Sequence, residues 1–183
     1  MAAADPIVLS DLRMVPGEGR RLDVPVPLDA VRLSEQGYAP EPAEPTVHLD
    51  IARMVGGGYA LRLRFAAGIA GPCMRCLEPT SASVEVDARE LSQASRDEEE
   101  QFESDYVDGD EVDLARWAND SFVLGLPARV LCREACKGLC PECGANLNED
   151  PDHRHDRGPD PRWAALGSLR FDDEGQLVDE RRG

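Results

Sequence analysis

The chain has 183 residues, 42% of them hydrophobic, which is enough for one ordinary domain with appendages or a small domain and a metal module. Its formal charge of −16 excludes the broad basic surface needed to coat phosphate backbones indiscriminately. No apolar run approaches the roughly 20 residues of a membrane span, and the stretch 1–12 lacks the basic and apolar regions of a signal peptide, so a cytoplasmic protein is expected.

Residues 1–45 hold two short apolar stretches, around Ile7–Leu9 and Leu22–Leu28. The second alternates like a half-buried strand, and Pro25 and Pro27 confine it to a sheet edge. The run Ala39-Pro40-Glu41-Pro42-Ala43-Glu44-Pro45 reads as a stiff connector that supplies no regular ladder. In the segment 46–96, Val47–Ile51 and Tyr59–Phe65 alternate on either side of Gly56-Gly57-Gly58, which predicts a β-hairpin. Leu61, Leu63 and Phe65 share one face of it, Arg62 and Arg64 the other. Ser83–Asp87 reads as the returning strand of a meander, with a cysteine turn at the tip.

The segment 97–131 begins with an acidic run: from Asp97 to Asp113 there are ten acidic residues and no basic one. It reads as a solvated linker, or alternatively as a docking surface for a basic partner. A helix capped by Asp113 follows, with Leu114, Trp117, Ala118 and Phe122 at core spacing and Gly125 and Pro127 ending it. The segment 132–156 is a cysteine/histidine metal module. In the tail, 157–183, Trp163–Leu169 is a short amphipathic piece that docks on the body or awaits a partner, and 172–183 reads as a frayed end. The expected fold class is α+β and mainly antiparallel β: a meander or small open barrel, one helix and a C-terminal zinc module.

The six cysteines fall in two groups, Cys73-Met-Arg-Cys76 and Cys132-x3-Cys136-x3-Cys140-Pro-Glu-Cys143-Gly144. A C-x2-C turn converges two thiolates on one tetrahedral ion about 2.3 Å from each sulfur. Structural disulfides fit a reducing compartment poorly, and a redox dithiol lacks the expected strand–helix context. Zinc is therefore the expected cofactor. Six cysteines with His153 and His155 make eight donors, enough for two closed sites. The preferred partition joins Cys73 and Cys76 to Cys132 and Cys136, the latter two on one helical turn released by Gly138, and pairs Cys140 and Cys143 with His153 and His155. The H-x-H spacing is shorter than the usual H-x3–5-H, so surface histidines are the alternative. Single-site alternatives are Cys73, Cys76, Cys140 and Cys143, or Cys132, Cys136, Cys140 and Cys143. Every version closes the coordination sphere, which is the mark of a structural ion.

Catalytic signatures are missing: there is no H-E-x-x-H, Gly-rich phosphate loop or G-x-S-x-G, and His48 lies in a strand pattern as a packed or surface residue. No enzyme activity or small-molecule substrate is expected.

Several motifs stand together in one order: Cys73-Met74-Arg75-Cys76-Leu77-Glu78-Pro79, the acidic stretch, Leu124-Gly125-Leu126-Pro127, Cys136-Lys137-Gly138-Leu139-Cys140-Pro141-x-Cys143-Gly144-x-Asn146-Leu147-Asn148, and Asp160-Pro161-Arg162-Trp163. In this the chain resembles the bacterial YceD family, described as a large ribosomal-RNA-subunit accumulation protein, over most of residues 20–170. The resemblance implies a non-enzymatic role in the production or stability of large-subunit (23S) ribosomal RNA. It also implies partners among pre-ribosomal RNA or basic ribosomal proteins. Arg62, Arg64 and Arg75 are the candidate RNA contacts, forming one basic spot with Arg129, Arg133 and Lys137 if metal unites these regions. The competing expectation is that these arginines pair with the abundant carboxylates. A thiol/zinc redox switch acting on a partner is the alternative function.

Overall fold

The computed structural model describes residues 5–93 and 104–155, together with 162, 166 and 169. Its strands form open antiparallel sheets, with one α-helix among the described residues. The larger sheet has six strands: β2 (Gly19–Pro25), β3 (Val31–Leu33), β4 (Gln36–Glu41), β5 (Thr46–Arg53), β6 (Tyr59–Pro72) and β7 (Pro79–Ser92). The smaller sheet joins β1 (Ile7–Val8), β8 (Val107–Asp108) and β9 (Glu111–Val112). The expected α+β class holds, as a meander with open edges rather than a closed barrel.

β6 is the spine. β7 pairs along its whole 14-residue length, from Tyr59 opposite Ser92 to Pro72 opposite Pro79. Its other edge is shared: β5 takes the first half and β4 the second. The predicted hairpin and returning strand are present, and β2 is an edge strand paired only with β5. Strict alternation decides the faces. Leu61, Leu63, Phe65, Ala67 and Ile69 of β6 are buried with Val47, Leu49 and Ile51 of β5 and Val84 and Val86 of β7. Removing that apolar area from water is the dominant stabilising term.

The proline-rich stretch behaves differently from expectation. Ala39, Pro40 and Glu41 are a strand, opposite Ala70, Ile69 and Gly68. β3 pairs with β4 only as far as Tyr38, so beyond it one side of the strand needs no donor and the missing N–H of Pro40 is tolerated. Tyr38, almost fully buried, anchors this strand by donating its hydroxyl to the Pro72 carbonyl at 2.8 Å. The acidic run also departs from a plain linker. Its described part folds back at Gly109 into the β8–β9 hairpin, because Val112 is fully buried and β1 supplies a pairing edge. Residues 97–103 lie outside the described residues, as do most of 163–169 and all of 172–183.

Helix α1 (Leu114–Gly125) begins as expected: Asp113 accepts the Arg116 N–H at 3.0 Å, satisfying one free donor of the first turn. Leu114, Trp117, Ala118 and Phe122 form its buried stripe against the sheet, and Tyr106 stacks on Trp117. Asn119 ties the helix to the N-terminal segment, accepting from the Asp29 N–H at 2.7 Å and donating to the Pro27 carbonyl at 3.1 Å. Beyond Pro127 the chain runs to the tip of the β6–β7 hairpin. There the Met74 N–H donates to the Val130 carbonyl, and the Thr80 hydroxyl to the Leu131 carbonyl.

Candidate metal centres

The tip of the β6–β7 hairpin is a tight knuckle. The Leu77 N–H donates to the Cys73 carbonyl at 3.0 Å, the Cys73 N–H to the Glu78 carbonyl at 2.8 Å, and Leu77 adopts a left-handed φ of 64°. The second C-x2-C turn repeats this arrangement. Gly144 donates to the Cys140 carbonyl at 2.9 Å, Cys140 to the Ala145 carbonyl at 2.8 Å, and Gly144 has φ 73°. The two knuckles therefore share one backbone design, with glycine at the left-handed position in one and leucine in the other.

Eight donors converge in two groups, and within each group the ligand atoms all lie within 4.8 Å of one another: Cys73, Cys76, Cys132 and Cys136 in the first, Cys140, Cys143, His153 and His155 in the second. In the first, Cys73 Sγ is 3.8 Å from Cys136 Sγ and Cys76 Sγ is 3.5 Å from Cys132 Sγ. Zinc about 2.3 Å from four sulfurs holds them about 3.8 Å apart, so the cage fits the ion. In the second, Cys140 Sγ is 3.2 Å from His155 Nε2 and Cys143 Sγ is 3.1 Å from His153 Nε2. Neither single-site grouping is assembled among these donors.

Cys132 lies in a bend and Cys136 directly after a turn, not on the expected helical turn. The reason is local. The Cys136 N–H closes onto the Arg133 carbonyl at 3.1 Å, three residues back rather than the four of an α-helix. An isolated helical turn has no compensating stability.

The thiols are electrostatically prepared for a cation. Burial pushes the Cys73 thiol up, but the N–H groups of Cys76, Arg75 and Cys132 outweigh it and bring it to about 6. The Glu78 N–H favours a thiolate at Cys76, yet burial and the neighbouring thiols push that group up to about 12. The surrounding donors thus favour a thiolate at Cys73, while crowding favours the proton at Cys76, which an ion would displace. For Cys136, burial is outweighed by the Asn148 amide and the Gly138 N–H, which lower it. In the second group, the N–H groups of Cys143 and Glu142 lower Cys140 to about 6. Soft thiolates and imidazoles in closed four-donor sets suit zinc and leave no vacant ligand position.

Three residues of these sites escaped the sequence reading. The Asn148 side chain donates to Cys136 Sγ at 3.5 Å and accepts from the Lys137 N–H at 2.8 Å. Glu142 and Asp150 stand behind the histidines, their carboxylates 3.2 Å from His155 Nδ1 and 3.5 Å from His153 Nδ1. The repeated asparagine in Asn146-Leu147-Asn148 and the glutamate inside the knuckle were the available signals.

The arginines are spread out. On the outer face of the sheet Arg21, Asp50, Arg62 and Arg89 lie in register across four strands, beside the row Asp23, His48, Arg64 and Asp87. Arg62 holds Asp87 with two hydrogen bonds, and Arg64 donates to Asp50 at 2.8 Å while its buried Nε has no hydrogen-bond partner. His48, half exposed, lies 2.6 Å from Asp23. Arg75 instead donates to the Cys136 carbonyl at 2.7 Å. β6 is one continuous strand, so Arg62 and Arg64 sit eight to ten residues before its end at Pro72, about 30 Å from the knuckle at roughly 3.3 Å per residue. The single basic spot uniting them with Arg75 does not form. A groove of about 700 Å³ lined by Arg20, Arg21, Arg62, Arg89 and Leu91 lies at that far end of the sheet.

Comparison with known proteins brings the family into view. Residues 61–170 match the family model described as "Large ribosomal RNA subunit accumulation protein YceD". Uncharacterized proteins of Mycobacterium tuberculosis and Mycobacterium bovis are each 36% identical over 131 residues, covering 69% of this chain and 63% of their own. The chain thus spans under two thirds of the length of these curated relatives. A chloroplastic protein of Arabidopsis thaliana, described as a homolog of the large ribosomal RNA subunit accumulation protein, is 35% identical over 60 residues, covering 33% of this chain and 19% of its own. No solved structure matches.

Proposed function

We propose, for a chain that belongs to the YceD family of large ribosomal RNA subunit accumulation proteins, that it is a non-enzymatic zinc-holding factor supporting accumulation of 23S ribosomal RNA. The family match carries the ribosomal part of this reading. The zinc part rests on the convergence of four sulfurs that join the β6–β7 tip to the segment beyond α1. A closed all-thiolate cage fixes geometry and leaves no position for an activated water, which favours a scaffold over a hydrolase. The factor acts in the bacterial cytoplasm by holding a pre-ribosomal RNA feature or a basic ribosomal protein. No helix among the described residues is long and apolar enough to cross a membrane.

The chemistry of the surface favours selective contact. Arg62 and Arg64 are already engaged by Asp87 and Asp50, so an RNA must offer phosphates placed well enough to replace those carboxylates. The test is gentle low-salt purification of tagged protein from its own cells, with sequencing of all co-purifying RNA. Enrichment of large-subunit precursor RNA supports the reading. A preparation free of ribosomal RNA but carrying a basic ribosomal protein moves the contact to protein, and one with neither defeats both.

A second reading, a thiol/zinc redox switch, is favoured by the exposure of Cys143, where the other thiols are buried or, at Cys132, half-buried. It requires zinc content to fall on mild oxidation and return on reduction; equal content in both states removes it.

A further inference from the structure

The two clusters are built for different duties. Three of the four sulfurs of the first cluster are buried, and its ligands come from separate parts of the chain. The second is local: its four donors come from residues 140–155, Cys143 and His155 are exposed, and Cys140 is the one buried side chain in that span. A segment with so little apolar burial has no core of its own to hold it folded.

The histidines supply the decisive geometry. Both present Nε2 to the interior, only 2.9 Å apart, and both turn Nδ1 toward a carboxylate, Glu142 for His155 and Asp150 for His153. A carboxylate at Nδ1 keeps the ring proton there and leaves the lone pair on Nε2. Two such lone pairs aimed at one point beside two sulfurs repel one another unless a cation stands between them. The S2N2 donor set matches a tetrahedral, borderline-soft divalent ion.

We propose that Cys140, Cys143, His153 and His155 form a separate, exchangeable zinc site, in which Glu142 and Asp150 position the two imidazoles. This rests on the reading of both clusters as zinc sites. Its ion enters and leaves without unfolding the sheet, because no donor comes from a strand or from α1. Asn148, in the same stretch of chain, donates to Cys136 Sγ of the buried cluster.

Zinc content and release kinetics of the intact chain test this, with a colorimetric zinc chelator as the probe. The expected result is two zinc ions per chain, one transferred to the chelator at least about 10-fold faster than the other. The far-UV circular dichroism of the sheet should persist after the first ion leaves. The double variant H153A/H155A should hold one ion and keep its main thermal transition, and E142Q should weaken the fast site by about 10- to 100-fold while leaving the slow site unchanged. A wild-type chain with one ion, unaffected by H153A/H155A, overturns the second site and leaves the first intact. Simultaneous loss of both ions with collapse of the sheet overturns exchangeability. A chain that binds no zinc overturns this proposal and the zinc reading of both clusters together, whereas the ribosomal RNA experiment moves neither result.

Discussion

The side-chain amide of Asn148 donates to the sulfur of Cys136 over 3.5 Å, so a residue of the C-terminal module stabilises a thiolate of the buried cluster. The same side chain accepts the Lys137 N–H, which fixes the amide's orientation. Asn148→Ala removes both bonds and leaves the Lys137 donor unmatched. A loss of about 1–2 kcal/mol is expected in urea unfolding, with faster zinc release from the slow site. Asn148→Asp should be worse, since a carboxylate beside a thiolate adds like-charge repulsion.

Cys76→Ser removes one of four sulfurs from a buried cage that joins separated segments. Structural zinc contributes folding free energy directly. Several kcal/mol of destabilisation are expected, visible as a large drop in Tm and reduced zinc content. An unchanged Tm would mean that the cage does not hold the fold.

Leu77 and Gly144 occupy equivalent left-handed positions, one residue after the second cysteine of each knuckle. A residue with a Cβ there costs roughly 1–2 kcal/mol, and glycine gives part of that back as unfolded-state entropy. Leu77→Gly should therefore leave stability unchanged or raise it by up to about 1 kcal/mol, the exposed leucine side chain contributing little. Gly144→Leu should lower it by about 1 kcal/mol. Differential scanning of the zinc-loaded proteins compares the two directly.

A Cβ on Gly71 would clash with the ring of Tyr38. Tyr38 is almost fully buried and held by its bond to Pro72, so it has little room to withdraw. Gly71→Ala should cost about 1–3 kcal/mol by overpacking, and loosen β4 where it meets β6. Hydrogen exchange of the β4 amides reads that local effect.

Asp50 lies between Arg21 and Arg64, and its carboxyl is lowered first by the hydrogen bond from Arg21 and then by that from Arg64, against partial burial. Because the folded value is depressed, its contribution is fully present above the unfolded Asp value of about 3.9 and lost as pH falls through the lower folded value. Wild type should exceed Asp50→Asn by about 1 kcal/mol or less at neutral pH, as befits a partly exposed pair. The gap should close as the pH drops below about 4. A gap that is constant with pH would assign the effect to packing.

The strands β5, β6 and β7 were legible because each alternates apolar and polar residues along a half-buried face, and α1 because Asp113, Trp117 and Phe122 stand at capping and core spacing. β4 was not, since Pro40 within it and Pro42 and Pro45 just after it argue against a ladder, and the sequence does not reveal that β3 stops pairing at Tyr38. Counting donors pointed to two four-ligand groups. Asn148, Glu142 and Asp150 were invisible to such counting, because their roles depend on where a chain without regular structure folds back. The wide separation of Arg62 and Arg75 follows from the length of β6, which runs on to Pro72, beyond the Tyr59–Phe65 stretch that alternation revealed.

The ion pairs on the outer sheet face set how this protein meets polyanions. Under the proposed role, a phosphate contact at Arg62 or Arg64 would displace Asp87 or Asp50, exchanging one paired charge for another and releasing few counterions. Affinity for nucleic acid should then vary only shallowly with salt, in contrast to proteins with free basic surfaces. On the proposed role, such a factor would stay unoccupied amid an excess of other RNA and be available to the rare ligand whose shape, rather than whose charge, fits.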